Sequence, residues 1–272
     1  AAIDEALRNV VCVGGNPDKT AILDNFCWPR VDDPRSLGAL VRACQAGYDV
    51  AKAYGVPFIS GKDSLNNEFA MNDADAIMLR DLFSRRWPHL VEQERSDMGA
   101  AGSRGPTEGQ RLAIPYTLLI SALSLIDDVN RCVSMDLKGG PSLLYLIGQP
   151  GSFDGGRGLD RPGFDFSAAA EVHRAVARLI HEGLVNAVHD VSDGGLLTAC
   201  AEMALAADRS CRLNGLAHWN QGTGGTGRSP LLVGGRGEDE FRFCFEPSPT
   251  LYVVEAAESR RGEFEQAVGA VS

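Results

Sequence analysis

Residues 185–197 read Val185-Asn186-Ala187-Val188-His189-Asp190-Val191-Ser192-Asp193-Gly194-Gly195-Leu196-Leu197, and the chain is best understood outward from them. Val185, Ala187 and Val188 predict a short buried strand, His189–Asp193 a polar turn, and Gly194-Gly195 the mouth of a helix from Leu196 to Ala207. That order sets an acid-rich loop at a helix N-terminus. Unpaired backbone N–H groups there can face a phosphate, the two glycines admit close backbone approach, and Asp190 and Asp193 can hold the cation that a phosphate brings. The plainer reading is a strand-to-helix turn with Asp193 as N-cap, and from this segment alone both stay open.

Working upstream, Ser167–Glu182 predicts the helix that delivers the chain into this turn, with Val172, Val176, Leu179 and Ile180 inward and Gly183 as its stop. His173 and His181 are expected on its solvent side. His189 is either a base or a histidine completing a structural hydrogen bond at a strand end. Leu143–Ile147 predicts a strand, and Lys138-Gly139-Gly140-Pro141 before it marks a domain boundary, because Gly-Gly-Pro interrupts both helix and strand. Downstream, 214–237 is Gly-rich and expected to be loop. Phe241–Phe245 and Leu251–Val254 alternate like strands, and Arg260–Val268 predicts a last short helix.

In the first half, Ala1–Asn9 predicts the end of a helix and Val10–Val13 a strand closed by Gly14-Gly15. Glu5 and Asn9 stand four residues apart on one helix face, a spacing that suits two oxygen ligands of Mg²⁺ or simply an exposed polar face. Ala21–Phe26 predicts a strand, with Asp24 able to accept hydrogen bonds from a base or ribose or to form a turn. Asp33-Pro34 caps a helix running to about Tyr54, with Leu37, Leu40, Val41, Cys44, Tyr48 and Ala51 as its core stripe. Val56–Ile59 predicts a strand leading into a flexible turn, Ser60–Glu68. There Lys62 can reach a phosphate, Gly61 admits backbone contact, Ser64 can donate to a substrate, and a surface Lys–Asp pair is the rival reading. Residues 71–110 break the compact pattern: a helix over 73–86, then a Gly-, Ser-, Arg- and Glu-rich surface excursion. Pro115–Ile126 returns to strand character.

At 272 residues the chain fits about two domains. A net charge of −10 argues against nucleic acid and anionic membranes as partners, although Mg²⁺ and helix termini still allow nucleotides. The seven cysteines contain no CxxC pair, which predicts reduced thiols in a cytoplasmic setting without a zinc site or disulfide framework. No apolar run reaches the roughly 20 residues of a membrane span, and no signal peptide opens the chain. The opening in mid-helix suggests a fragment.

Taken together, EALRN at 5–9, LDNF at 23–26, GKDSLNNEF at 61–69, MDLK at 135–138 and HDVSDGGLL at 189–197 resemble phosphoribosylformylglycinamidine synthase, in the order of the second half of its synthetase subunit. The resemblance spans nearly the whole chain apart from 71–110 and the loop near Gly222. It implies an α/β fold: a partial aminoimidazole-ribonucleotide-synthetase-like N-terminal-type domain over 1–138 carrying the 71–110 insertion, then an α/β sandwich C-terminal-type domain over 142–272. It also implies an ATP-dependent ligase of purine biosynthesis, in which ATP activates the amide oxygen of formylglycinamide ribonucleotide and glutamine-derived ammonia gives the amidine.

Carried over by motif, the resemblance implies Glu5, Asn9 and Asp190 as Mg²⁺ ligands, Asp24, Gly61 and Ser192 as ATP contacts, and Ser64 as a substrate contact. Lys62 stands where shorter bacterial members carry a metal-binding Asn; a protonated lysine cannot ligate Mg²⁺, so a direct phosphate contact is expected instead. The implied partners are a glutaminase subunit or fused domain and a small bridging subunit. The family's catalytic histidine region belongs to the first copy of the repeat, so this half alone is expected to be inactive. Two further readings are a nucleotide-binding scaffold half without turnover, and another ATP-using member of the superfamily.

Overall fold

The computed structural model describes residues 1–71, 78, 81, 82, 85, 110–148, 165–213, 244, 245, 248 and 250–269. The expected helix over 73–86, the excursion after it and the loop at 214–237 lie wholly or mostly outside the described residues, as does most of 241–245. By compactness the chain divides into one unit of Ala1–Asp24, Gln45–Gly61 and Leu119–Ser272 and another of Asn25–Cys44 and Lys62–Leu118.

Helix α1 spans Ala2–Cys12, so the strand expected at Val10–Val13 is a helical turn instead. The reason is periodicity: Ile3, Leu7 and Val11 recur every four residues and all three are buried, and tertiary burial of that stripe outweighs the β-preference of Val10-Val11. Asp4 and Glu5 in the first turn complement the helix dipole. Strands β1 (Thr20–Cys27), β2 (Phe58–Ser64) and β5 (Thr117–Ser124) form a sheet in the order β2-β1-β5. Residues 60–64, expected as a flexible turn, are therefore strand: pairing beside β1 overrides the turn preference of Gly61.

Helix α2 (Pro34–Tyr54) is capped by Asp33, whose Oδ1 accepts from Arg35 N at 2.9 Å. Its expected core stripe is largely open: Leu37 is 46%, Val41 48% and Tyr48 64% exposed, and Cys44 is exposed, while Val50, Ala51 and Tyr54 are buried. Within the smaller unit, Trp28 is the anchor. It stacks on Tyr116 at 4.9 Å and donates its indole N–H to Ser36 O at 3.0 Å. Strands β3 (Glu68–Met71) and β4 (Gln110–Ala113), which the sequence pattern did not announce, pair antiparallel there.

The second half is a sandwich. Strands β6 (Ser142–Gly148), β8 (Leu251–Ala257) and β7 (Ala187–Asp190) form an antiparallel sheet in the order β6-β8-β7. On the central strand, Tyr252, Val254 and Ala256 face one core with Val176, Leu179 and Ile180 of α3 (Phe166–His181), Phe264 of α5 (Arg261–Gly269) and Val11 of α1. Leu251 and Val253 face a second core with Leu196, Cys200 and Met203 of α4 (Gly195–Ala206). A strand covered on both faces carries apolar side chains on both, which is why Leu251–Val254 is an unbroken apolar run. Asp165 caps α3 through its bonds to the N–H groups of Ser167 and Ala168. Among the described residues no helix is long and apolar enough to cross a membrane.

Candidate functional site

The turn after β7 is built by backbone rather than by side-chain capping. Val191 N donates to Leu251 O at 2.9 Å, and Gly195 N to Ser192 O at 2.9 Å. The N-cap of α4 is Gly194, in the left-handed region at φ 87°, with no side-chain cap bond. The Asp193 cap is therefore not formed, and Asp193 is exposed. A Cβ on Gly195 would meet the backbone of Cys244 and Phe245 at 2.6–2.7 Å, so glycine is needed there for close packing.

Asp190 closes β7 with its carboxylate buried, and its partner is Arg8 of α1: Nη1 lies 3.3 Å from Asp190 Oδ2 and donates to Val191 O at 2.7 Å. The other oxygen, Oδ1, is 3.4 Å from Nδ1 of His189, whose Nε2 lies 3.0 Å from Glu202. Burial opposes ionisation of Asp190, but His189, Arg8 and the Ser192 hydroxyl together outweigh it and hold the carboxyl below its usual range. Reciprocally, the bond to Asp190 raises the His189 imidazole above its ordinary value, against the pull of desolvation.

Behind this pair lies a buried polar cluster that sequence reasoning missed. Asp4 Oδ2 accepts from Arg8 Nε at 3.0 Å and from Thr250 N at 2.9 Å, and its Oδ1 accepts from the hydroxyls of Tyr54 at 2.8 Å and Thr250 at 2.5 Å. His173 Nε2 stands 3.3 Å from Asp4 Oδ1, at ion-pair distance but without hydrogen-bond alignment, and Nδ1 meets the Tyr252 hydroxyl at 2.6 Å. Desolvation works against the Asp4 charge, yet His173, Arg8 and Thr250 hold it well below the usual carboxylate range. The placement of His173 corrects the expectation that it faces solvent: it is 1% exposed, whereas His181 is exposed as expected. The spacing contained the signal, since His173 precedes Val176 by three and Ile180 by seven and so shares their face. Asp4 and Arg8, four apart on the stripe side of α1, carried a similar one.

Of the other expected residues, Glu5 and Asn9 are exposed on α1 and offer a carboxylate and an amide oxygen from one helix face. Two such donors fit Mg²⁺, which keeps several waters. Asp190, engaged by Arg8 and His189, fits less well, and among the described residues no cluster of three or more His, Cys, Asp and Glu is arranged for a metal. Asp24 and Gly61 do come together: a Cβ on Gly61 would lie 1.9 Å from Asp24 Oδ1, and that oxygen is buried without a hydrogen-bond partner. Ser192 is half-buried beside Asp190. Lys62 is exposed and Ser64 half-buried on β2, where Ser64 O accepts from Trp28 N at 2.9 Å and from the Asn67 amide at 2.9 Å. A cleft of about 230 Å³ holding Arg131, Arg178 and His181 contains none of the expected site residues.

The family model for the AIR synthase related protein, N-terminal domain, matches residues 1–77, and that for the C-terminal domain matches 161–258. A phosphoribosylformylglycinamidine synthase subunit PurL of Rhodospirillum rubrum is 32% identical over 81% of this chain and 26% of its own length. Among solved structures, T. maritima PurL complexed with ATP superposes with a TM-score of 0.54 at 14% identity, over 99% of this chain and 34% of that one. The hydrogenase maturation protein HypE in complex with ATP superposes at 0.57 and 14% identity, over 98% and 65%. The chain thus spans about a quarter of the length of the curated relative. With both domain models matched in order, and with an α/β fold shared with PurL and HypE, the chain belongs to the AIR synthase related family.

Proposed function

We propose that this chain is a nucleotide-binding fragment of the second half of a phosphoribosylformylglycinamidine synthase, acting in purine biosynthesis in the cytoplasm. The observation that carries the reading is Asp24: a carboxylate oxygen buried without a partner, against a glycine that leaves it room, is an acceptor prepared for a ligand N–H or hydroxyl. A base or ribose of ATP supplies such donors. Gly61 and Ser192 are the neighbouring contacts in this reading, Lys62 meets a phosphate as a point charge, and Ser64 donates to formylglycinamide ribonucleotide. The residue set reaches across 1–138 and 142–272, taken as the N-terminal-type and C-terminal-type domains. Mg²⁺, when bound, neutralises the polyphosphate; Glu5 and Asn9 offer it oxygens, and Asp190 joins that set only if Arg8 releases it.

The reaction so assigned transfers the γ-phosphoryl of ATP to the amide oxygen and lets ammonia displace it. Catalysis of that kind is positioning and charge neutralisation, which a fixed acceptor, a lysine and a helix mouth can supply. Ammonia would come from a glutaminase subunit or fused domain, with a small bridging subunit as further partner. Titration of ATP into the protein followed by calorimetry tests the assignment. Asp24→Ala is expected to weaken binding at least about tenfold, the equivalent of one charged hydrogen bond; unchanged affinity removes the reading. A second reading, a scaffold half that holds nucleotide without turnover, is favoured by the engagement of Asp190 with Arg8. Formation of amidine by this chain alone would rule it out.

A further inference from the structure

Arg8 is 2% exposed, and it lies between two carboxylates: Nε at 3.0 Å from Asp4 and Nη1 at 3.3 Å from Asp190. A guanidinium stays protonated at any physiological pH, so Asp190 has a standing positive partner whatever else is bound. Its second oxygen faces the His189 ring at 3.4 Å, and the side chain is 7% exposed. A divalent ion needs an open position, room for retained waters, and oxygens not already given to cations. To ligate Asp190 it would have to displace Arg8 and leave a buried guanidinium with Asp4 alone, while breaking the 2.7 Å bond to Val191 O.

We infer that Arg8 is the resident counter-cation of Asp190, and that it excludes divalent metal from this carboxylate. The metal of a bound polyphosphate is then left to the exposed pair Glu5 and Asn9, while Asp190 fastens α1 to the turn after β7. The inference rests on the nucleotide-site reading only for making Mg²⁺ the relevant ion; the pairing itself is independent of nucleotide.

The test is a Mn²⁺ titration of the protein without nucleotide, followed by electron paramagnetic resonance of the free ion. Asp190→Asn is expected to leave the number of bound ions unchanged. Arg8→Gln is expected to gain one bound Mn²⁺ per chain, lost again in the Arg8→Gln/Asp190→Asn double variant, and Arg8→Lys, which keeps the charge, to gain none. Loss of a bound ion in Asp190→Asn would overturn the inference, and so would the absence of a gain in folded Arg8→Gln. If Arg8→Gln does not fold, the Asp190→Asn comparison decides alone. Failure here leaves ATP binding through Asp24 untouched, since no nucleotide is present in this titration.

Discussion

Asp24 and Gly61 are matched: the carboxylate oxygen occupies the space that any side chain at 61 would need, with 1.9 Å between Oδ1 and the position of a Cβ. Gly61→Ala must push the Asp24 carboxylate aside or bend β2. The expected cost is about 1–3 kcal/mol of stability, the usual penalty of overpacking, together with weaker ATP binding. Thermal denaturation and calorimetry on the same variant measure both. Wild-type affinity in Gly61→Ala would mean that Asp24 does not meet the nucleotide.

Asp24→Asn separates the charge of that acceptor from its shape. An oxygen buried without a partner costs about 1–3 kcal/mol in the unliganded protein, so the neutral amide should leave stability equal or higher. Affinity for ATP should fall at the same time. Loss of both together would instead make Asp24 a structural residue.

Asp4 is the most heavily bonded carboxylate among the described residues, and Asp4→Ala should destabilise by about 3–5 kcal/mol, because it leaves Arg8 with Asp190 alone and the donors of Tyr54 and Thr250 without their acceptor. The sign with pH follows from its lowered folded value. Its contribution is complete above the ordinary value of 3.8 and is lost as pH falls from there toward the folded value. Urea melts should therefore show an undiminished gap between wild type and Asp4→Asn from pH 7 down to about 4, narrowing only below 3.8.

His189 has the opposite sign. Its folded value lies above the ordinary 6.5, so the stabilisation it draws from Asp190 is full below 6.5 and disappears as pH rises through the folded value. The stability difference between wild type and His189→Gln should shrink from pH 5.5 to 8.5. A difference constant across that range would show that the ring acts by packing alone.

Thiol reactivity should follow burial. Cys200 is pushed up to about 12, first by burial and then by Cys211, and burial also raises the Cys12 thiol, with Asp190 adding to it. Cys44 is exposed. An alkylating reagent at neutral pH should modify Cys44 well before Cys12 or Cys200, which should react only on unfolding. Peptide mapping by mass spectrometry distinguishes them.

The elements most legible in the sequence were those whose periodicity and punctuation agree. Helix α3 has its stripe and its Gly183 stop, while its Asp165 cap was shown by the structure. The strand-turn-helix around Asp190 was visible from its residue order, although His189 and Asp190, expected in the turn, extend the strand, whose backbone pairs with β8 there. Where local preference and tertiary context disagree, the reading failed: Val10-Val11 joined a helix because Ile3, Leu7 and Val11 are buried together, and residues 60–64 became strand because β1 lies beside them. On α2, a stripe at helical spacing showed which residues share a face but not whether anything covers it. At the site, individual donors could be singled out, but the Asp4–Arg8–His173 cluster could not. Its partners Tyr54, Thr250 and Tyr252 come from distant segments, and only the fold brings them together.

The bond from Thr250 N to Asp4 joins positions 246 residues apart. Helix α1 is made before the partner that satisfies its buried acid, which arrives only beside β8, the central strand of the sandwich. Until then Val11 has no β8 to pack against, so full docking of α1 awaits that strand. Loop-closure entropy makes that step slow and places it late on the folding path.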